Sequence, residues 1–322
     1  MAPKLCYPII AGPTASGKTA LAIALAKHFD GEVVSADSMQ IYDTVSVGTA
    51  RPDEVEMDGV VHHLMGFLPL SAKYSVASYL DDAHRVFSDI YSRNRTPIMC
   101  GGTGLYIQSF MENRQLLEEQ PNPTLRQQYI HLAETQGNEV LMERLRAVDP
   151  IAADRLHVND RNRIIRALEV YDTTGLTITE QAERSHAIPS PYAPCLFVLD
   201  FRDRQKLYDR INLRVTHMLN NGLLEEAKQV LATNPDATVT QAIGYKEFAA
   251  YFQGEISLEE AADKLRQQTR RYAKRQLSWF RRMEGAITLW IDEHSTKESL
   301  INEAIRQYEI HQKGGASNEE KS

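Results

Sequence analysis

Eight residues near the start of the chain constrain its fold more than any other feature: Gly12, Pro13, Thr14, Ala15, Ser16, Gly17, Lys18 and Thr19. They fit the spacing G-x-x-x-x-G-K-[ST]. The short apolar run Leu5 to Ala11 before them predicts a buried strand. Thr19 to His28 after them (TALAIALAKH) is rich in Ala and Leu and predicts a helix. A chain that leaves a strand, curls through glycines and enters a helix turns its backbone N–H groups toward a common centre. The helix dipole, the Lys18 ammonium and the Thr19 hydroxyl, which suits Mg2+, complete a seat for phosphate oxygens. The loop predicts a bound di- or triphosphate. It does not say which one, nor that ATP is used.

Further strands extend this beginning into a sheet. Glu32 to Ala36 (EVVSA) predicts a second strand ending at Asp37. Tyr79 to Tyr91 predicts a helix, and Pro97 to Cys100 a third strand running into Gly101-Gly102-Thr103-Gly104. Strands alternating with helices favour a parallel α/β sheet. The texture changes after about Phe110. Asn122-Pro123-Thr124 opens a helical stretch through Ala147, and Asp160 to Thr173 predicts another helix. The next strand, Cys195 to Asp200 (CLFVLD), comes after a proline-rich exit from Ile188 to Pro194. The expected fold is α/β: a P-loop NTPase-like parallel sheet flanked by helices, interrupted by an all-helical insertion. The expected division is 1–112 with 197–311 for the core, 113–196 for the insertion, and a disordered tail over 312–322.

Composition narrows the function classes. A chain of 322 residues with 43% hydrophobic and 25% charged residues is of ordinary globular type. No stretch approaches the ~18 apolar residues of a membrane span, and no secretory leader is expected. The three cysteines, Cys6, Cys100 and Cys195, form no CxxC pair, which argues against a disulfide framework or a cysteine zinc site. A cytoplasmic location, no membrane partner and a monomeric state are expected. Net charge is −7, from 36 Lys and Arg against 43 Asp and Glu, yet eight of those cations and no acid lie between 264 and 282. A cationic stripe on an acidic body predicts one specific polyanion site.

On a helical wheel, Arg266, Arg270, Lys274 and Arg281 form one stripe and Arg271, Arg275 and Arg282 the next. Leu265, Tyr272, Trp279, Phe280 and Met283 gather opposite, as a core face would. A phosphate backbone is the natural partner of the cationic side. Arg161, Arg163 and Arg166 form a second cluster within the insertion. P-loop enzymes often add a strand-end carboxylate, and Asp37 and Asp200 are both placed for this. Asp37, Ser38 and Gln40 could read a base edge. The guanine signature Asn-Lys-x-Asp is absent from the sequence, which disfavours a GTPase.

Several segments together resemble the bacterial tRNA dimethylallyltransferase (tRNA isopentenyltransferase) family. They are GPTASGKT at 12–19, DSMQIY at 37–42, VGTARP at 47–52, GGTGLY at 101–106, RNRIIRALEVYDTTG at 161–175, QAIGYKEF at 241–248 and RYAKRQLSWFR at 271–281. The resemblance implies transfer of a dimethylallyl group from dimethylallyl diphosphate to the exocyclic N6 amine of the adenosine just 3′ of the anticodon, in tRNAs reading codons that begin with U. N6-isopentenyladenosine and diphosphate would be the products, and Mg2+ the cofactor. It implies that the loop from Gly12 to Thr19 holds the diphosphate with Arg214, that Asp37 takes the amine proton, and that Thr103 sits near both substrates. It places tRNA contacts at Ser38, Met39, Gln40 and Arg126. Further contacts are implied at Asn162, Arg163, Ile164, Ile165 and Arg166, then at Gln241, Ala242, Ile243, Gly244, Tyr245 and Lys246. The last group is Arg271, Tyr272, Ala273, Lys274, Arg275, Gln276, Leu277 and Ser278. The family often has Arg where this chain has Gln241. Two other readings stay open on the residues alone: a P-loop kinase of a small metabolite, and a non-catalytic RNA-binding module.

Overall fold

The computed structural model describes residues 4–116, 122–185, 188–233 and 238–317. Six strands form one all-parallel sheet in the order β3-β2-β4-β1-β5-β6. They are β1 (Leu5–Ala11), β2 (Gly31–Ser35), β3 (His62–His63), β4 (Thr96–Gly101), β5 (Tyr192–Asp200) and β6 (Ile287–Trp290). The first helices are α1 (Lys18–His28), α2 (Glu54–Met57), α3 (Val76–Ser92) and α4 (Gly104–Met111). The insertion holds α5 (Pro123–Gln136), α6 (Asn138–Val148), α7 (Pro150–Arg155), α8 (Arg161–Thr174) and α9 (Ile178–Ser185). After β5 come α10 (Arg204–Asn220), α11 (Leu223–Leu231), α12 (Ala249–Phe252), α13 (Leu258–Phe280) and α14 (Lys297–Ser317). No helix among the described residues is long and apolar enough to cross a membrane.

The two faces of the sheet bury different chemistry, because successive side chains of a strand point opposite ways. Tyr7 and Ile9 of β1 face α3 and α4 in a cluster with Phe87, Phe110 and Tyr192. Ile10 faces α1 and α14, among Leu21, Leu25, Phe197 and Tyr308. A third cluster joins Ile41, Tyr42 and Val45 to Val215, Leu223, Tyr245 and Leu265, and so ties the loop after β2 to α10, α11 and α13.

The chain divides into residues 1–111 with 191–322, and Glu112–Ser190. The second unit has its own core of Leu141, Leu145, Ile164, Ile165 and Leu168. Its expected single helical stretch from 125 to 147 breaks at Gly137, whose φ of 90° ends α5 and begins α6. The boundary falls before 196 because β5 starts at Tyr192 and runs through Pro194. At that level β5 pairs only with β1, since its register with β6 starts at Phe197. An imino nitrogen there need not cost a ladder bond.

Three other expectations change. Two strands go beyond the sequence reading: β3 is only the two residues His62–His63, and β6 lies within the apolar run Ala286 to Ile291 (AITLWI). The tail expected to be disordered from Gln312 is helical through Ser317, because α14 is anchored by fully buried Ala304 and Tyr308; residues 318–322 lie outside the described residues. Trp279 is 38% exposed and not part of the core, although Leu265 and Phe280 are buried as expected.

A buried acid locks one edge of the sheet. Glu32 on β2 is 1% exposed and accepts hydrogen bonds from Arg93 (2.5 and 2.9 Å), Arg95 (2.5 Å) and His63 (2.6 Å). The Arg93 guanidinium, with His63 and Arg95, outweighs burial and pulls the carboxyl down to about 2. This stabilisation is full above the unfolded carboxylate range near ~4.3 and is lost as pH falls from there through about 2. Glu32→Ala is expected to lower unfolding free energy by about 1–3 kcal/mol at neutral pH, because it removes the charge-assisted hydrogen bonds of Arg93, Arg95 and His63 while the two guanidiniums, 40% and 32% exposed, remain hydrated. Urea denaturation at pH 7 and at pH 3 checks this, and the deficit should shrink at the lower pH.

Candidate active site

The phosphate loop is shaped by close approaches. Gly12, at φ 143°, leaves β1 so near β5 that a Cβ would stand 2.7 Å from the Leu199 carbonyl oxygen. Ala15 adopts φ 64° without being glycine, a local strain of about 1 kcal/mol, and Gly17 at φ 89° is the N-cap of α1. The first turn of α1 contains no acid, so its positive end is not neutralised by its own helix. Lys18 Nζ donates to the Pro13 carbonyl at 2.8 Å and closes the loop on itself. The hydroxyl of Ser16, 3% exposed, has no partner among the described residues.

A second turn meets this loop. Gly101, at the end of β4, passes so close to β2 that a Cβ would lie 2.2 Å from the Ala36 carbonyl oxygen. That approach sets Asp37 beside it. Asp37 Oδ1 accepts from the Met39 N–H at 2.9 Å, and Oδ2 makes no hydrogen bond among the described residues. Thr103 donates its N–H to Ala36 O (3.0 Å). Its hydroxyl accepts from Ser38 N (3.0 Å) and donates to Ser38 Oγ (3.3 Å). Thr103 does not line the cavity described below. Its hydroxyl joins the glycine turn to Ser38, which does line that cavity.

Lys18, Thr19, Asp37, Ser38, Met39 and Gln40 share a cavity of about 460 Å3 with Cys100, Gly101, Arg214, Tyr272 and the stretch from Gln241 to Lys246. Its ionised lining is uneven: Lys18, Arg214, Lys246 and Arg275 stand against one carboxylate, Asp37. Burial, helped by the Arg214 charge, pushes the Lys18 ammonium down to about 8, while Cys100 and Asp37 oppose the shift. Burial likewise depresses Arg214, with Asp37 opposing. Burial lifts the Cys100 thiol to about 12. Two partly desolvated cations with no carboxylate bonded to either among the described residues have the chemistry to bind an anion. Arg214 has one hydrogen bond among the described residues, to Thr49 O at 3.4 Å.

Several of the expected contact residues also have partners within the fold. Gln276 is 5% exposed; its Oε1 accepts from the Thr14 N–H at 2.9 Å and its Nε2 donates to Gly102 O at 3.0 Å. It pins the phosphate loop and the glycine turn to α13, and it also lines the cavity. Ala273, Leu277 and Tyr245 are at most 2% exposed, as are Ile164 and Ile165 in the insertion, so these too pack cores. Gln40 Nε2 donates to Thr49 O and Ala50 O, both at 3.2 Å, and binds two loops together. Arg126 is paired with Glu169 at 2.8 Å. Asn162, Arg163, Arg166, Arg271, Lys274, Arg275 and Ser278 are exposed.

The basic helix is narrower than its sequence suggests. Arg266 is bound by Glu259 and Asp263, both at 2.7 Å, from the acidic first turns of the same helix. The helix ends at Phe280, and Arg281 turns back to Asp200 at 2.7 Å. Asp200, 1% exposed, also faces Arg204 at 3.7 Å. It is a structural tie outside the cavity, which leaves Asp37 as the strand-end carboxylate there. The sequence reading missed the apolar wall of Val215, Met218 and Leu265. The spacing of Val215 and Met218 around Arg214 on one helix was a signal for it.

The family model described as IPP transferase matches residues 40–283, and that described as Isopentenyl transferase matches residues 6–67. A tRNA dimethylallyltransferase from Thermoanaerobacter sp. (strain X514) is 45% identical over 301 residues, 92% of this chain and 96% of the relative. The crystal structure of a full-length tRNA isopentenylpyrophosphate transferase from Bacillus halodurans superposes with TM-score 0.70 at 37% identity, over 96% of this chain and 98% of that one. A eukaryotic dimethylallyltransferase acting on tRNA gives TM-score 0.76 at 29% identity, over 92% of this chain and 75% of that one. With matches of this identity over nearly its whole length, the chain belongs to the IPP transferase family.

Proposed function

We infer that this chain transfers a dimethylallyl group from dimethylallyl diphosphate to the N6 amine of the adenosine 3′ of the tRNA anticodon. The observation that carries the reading is a single cavity that holds an unpaired Lys18–Arg214 pair, one carboxylate and an apolar wall. A phosphoryl-transfer site needs the cations, but it has less use for Met39, Val215, Met218 and Leu265 lining the same space. Those side chains suit an isoprenoid chain, and the names of the relatives point the same way.

The step balances as follows. The N6 lone pair forms a bond to the allylic C1 while the C1–O bond breaks, and its electrons leave on the diphosphate. The N6 proton passes to Asp37, whose Oδ2 is unengaged. An aryl amine is a weak nucleophile, so both ends need help. The loop amides, Lys18 and Arg214 stabilise the charge that builds on the leaving oxygens. Thr19 offers a hard hydroxyl oxygen at the start of α1, a donor type that suits Mg2+. Among the described residues there is no cluster of three or more metal-ligating side chains, and Thr19 would be the side chain that holds the ion. Bound there, Mg2+ would supply further charge neutralisation to the leaving group. The chemistry requires no nucleoside triphosphate. The exposed cations of α13 and Asn162, Arg163 and Arg166 of the insertion supply phosphate contacts to offset unstacking the target base, which costs a few kcal/mol.

The founding test incubates the protein with unmodified tRNA, dimethylallyl diphosphate and Mg2+ and looks for an isopentenyl mass gain on the RNA. ATP-dependent phosphorylation of a small metabolite without that gain would favour the kinase reading. In the same assay Asp37→Ala is expected to lower the single-turnover rate by about 10²–10⁴-fold with little change in tRNA affinity. Activity within a factor of three of wild type would remove Asp37 from the base role.

Lys18 gives a pH signature. It binds the diphosphate as an ammonium, and in the free protein it loses its proton near pH 8. Inorganic pyrophosphate affinity should therefore hold steady up to about pH 7. Above pH 8 it should weaken by up to about tenfold per unit, beyond the trend of Lys18→Ala. Calorimetric titration from pH 6.5 to 9.5 checks this, and parallel profiles for the two proteins would exclude Lys18 as the titrating contact.

Salt dependence tests the cationic face. Arg271 and Lys274 are exposed, and neither lines the cavity. Replacing both with Ala should weaken tRNA binding and flatten the slope of log K against log salt by about one to two units. Unchanged slopes would move the polyanion surface to Asn162, Arg163 and Arg166.

A further inference from the structure

Glu226 has no place in the reaction as derived above, yet it is among the most heavily bonded acids in the protein. It lies on α11, within the unremarkable sequence LLEEAK, and is 8% exposed. Its Oε2 accepts from the N–H groups of Ser46 (2.7 Å) and Val47 (2.9 Å). Its Oε1 accepts from the Gly48 N–H (2.7 Å) and the Tyr245 hydroxyl (2.9 Å). Three consecutive backbone amides form a concave anion seat, and here the anion is a side chain of the same molecule.

The segment so held is a wall of the cavity. Gly48, Thr49 and Ala50 line it. Thr49 O receives both Arg214 Nη2 (3.4 Å) and Gln40 Nε2 (3.2 Å), and Ala50 O receives Gln40 Nε2 (3.2 Å). Gly48 is packed so tightly on Tyr245 that a Cβ would stand 2.7 Å from its hydroxyl oxygen. One carboxylate therefore joins three stretches of chain: 37–42 through Gln40, 46–50 directly, and 241–248 through Tyr245.

A negative charge near a diphosphate seat would repel the ligand if it were free. Capped by three amides and a hydroxyl, its charge is largely answered locally, and what it contributes is geometry. Among the described residues no carboxylate is bonded to Arg214, and its one hydrogen bond is to the segment that Glu226 fixes. We propose that Glu226 is a positioning residue for the donor: it fixes the Ser46–Thr49 segment so that Thr49 O holds the Arg214 guanidinium toward the diphosphate.

This rests on the reading of the cavity as a diphosphate site, so the test uses inorganic pyrophosphate, whose binding requires neither tRNA nor turnover. Glu226→Gln places an NH2 group against amide donors, and its pyrophosphate Kd is expected to rise about tenfold. A general loss of structure would give the same single result, so the decisive readout is a double-mutant cycle. In an Arg214→Ala background, Glu226→Gln should change Kd by less than about twofold. In a Lys18→Ala background it should keep its full effect, because Lys18 is held by Pro13 O and not by this segment. Glu226→Asp serves in the same cycles if the amide variant does not fold. Equal effects of the Glu226 substitution in the wild-type and Arg214→Ala backgrounds would overturn the proposal, as would an unchanged Kd in the single variant. A wild-type protein that fails to bind pyrophosphate at all would instead overturn the diphosphate reading.

Discussion

The side-chain amide of Gln276 holds the site together. It reaches from α13 into the gap between two loops, takes the Thr14 N–H and gives its own N–H to Gly102 O. Both loops end strands of the parallel sheet, β1 and β4, which are adjacent and in register at Ala11 and Gly101. Parallel strands deliver their C-terminal ends to the same side, where open α/β sheets bind ligands. That arrangement alone leaves each loop free to choose its own conformation. An amide that donates at one end and accepts at the other removes the choice, and it does so from a helix whose opposite surface is cationic. The glycine-rich loop and the cationic face are thereby joined to one helix.

The acids follow a common logic. Glu32, Asp200 and Glu226 are each nearly inaccessible, and each is answered by several donors: arginines and a histidine at Glu32, arginines at Asp200, amides and a tyrosine at Glu226. Burying a carboxylate is tolerated only when its lone pairs are filled, and filled carboxylates act as joints between segments distant in sequence. Asp37 is the exception within the cavity. One oxygen is used for a turn and the other is left over. In a space that also contains Lys18 and Arg214, that unused oxygen is what the proposed proton transfer would employ.

The same comparison separates two kinds of arginine on and around α13. Arg266 and Arg281 are neutralised by Glu259, Asp263 and Asp200, and so belong to the fold. Arg271, Lys274 and Arg282 are exposed and make no ion pair among the described residues. A polyanion that meets this face is met by fewer charges than the sequence stripe contains, and by charges that need not abandon an internal partner first.

Local chemistry made a large part of this legible in the sequence. The strand-loop-helix around Gly12 to Thr19, the strand ending at Asp37, the glycine turn at Gly101 and the helical interruption follow from period, glycine placement and apolar runs. All are properties of neighbouring residues. The motifs that mark the family are likewise contiguous. What remained hidden depends on residues far apart in the chain. Gln276 stood among the tRNA contacts that the family resemblance implies, and nothing in the sequence tied Thr103 to Ser38. Glu226 carried no signal in the sequence, and Trp279 looked like core. Each was decided by what the fold set opposite it: the Thr14 N–H, the Ser38 N–H, the Ser46–Gly48 amides, open solvent. The sequence determined which segments could be strands, helices and phosphate-binding turns, because those preferences are written in local backbone sterics. Only the tertiary structure decided which polar side chains are joints and which are reagents, because hydrogen-bond partnership depends on which distant segments packing brings within about 3 Å.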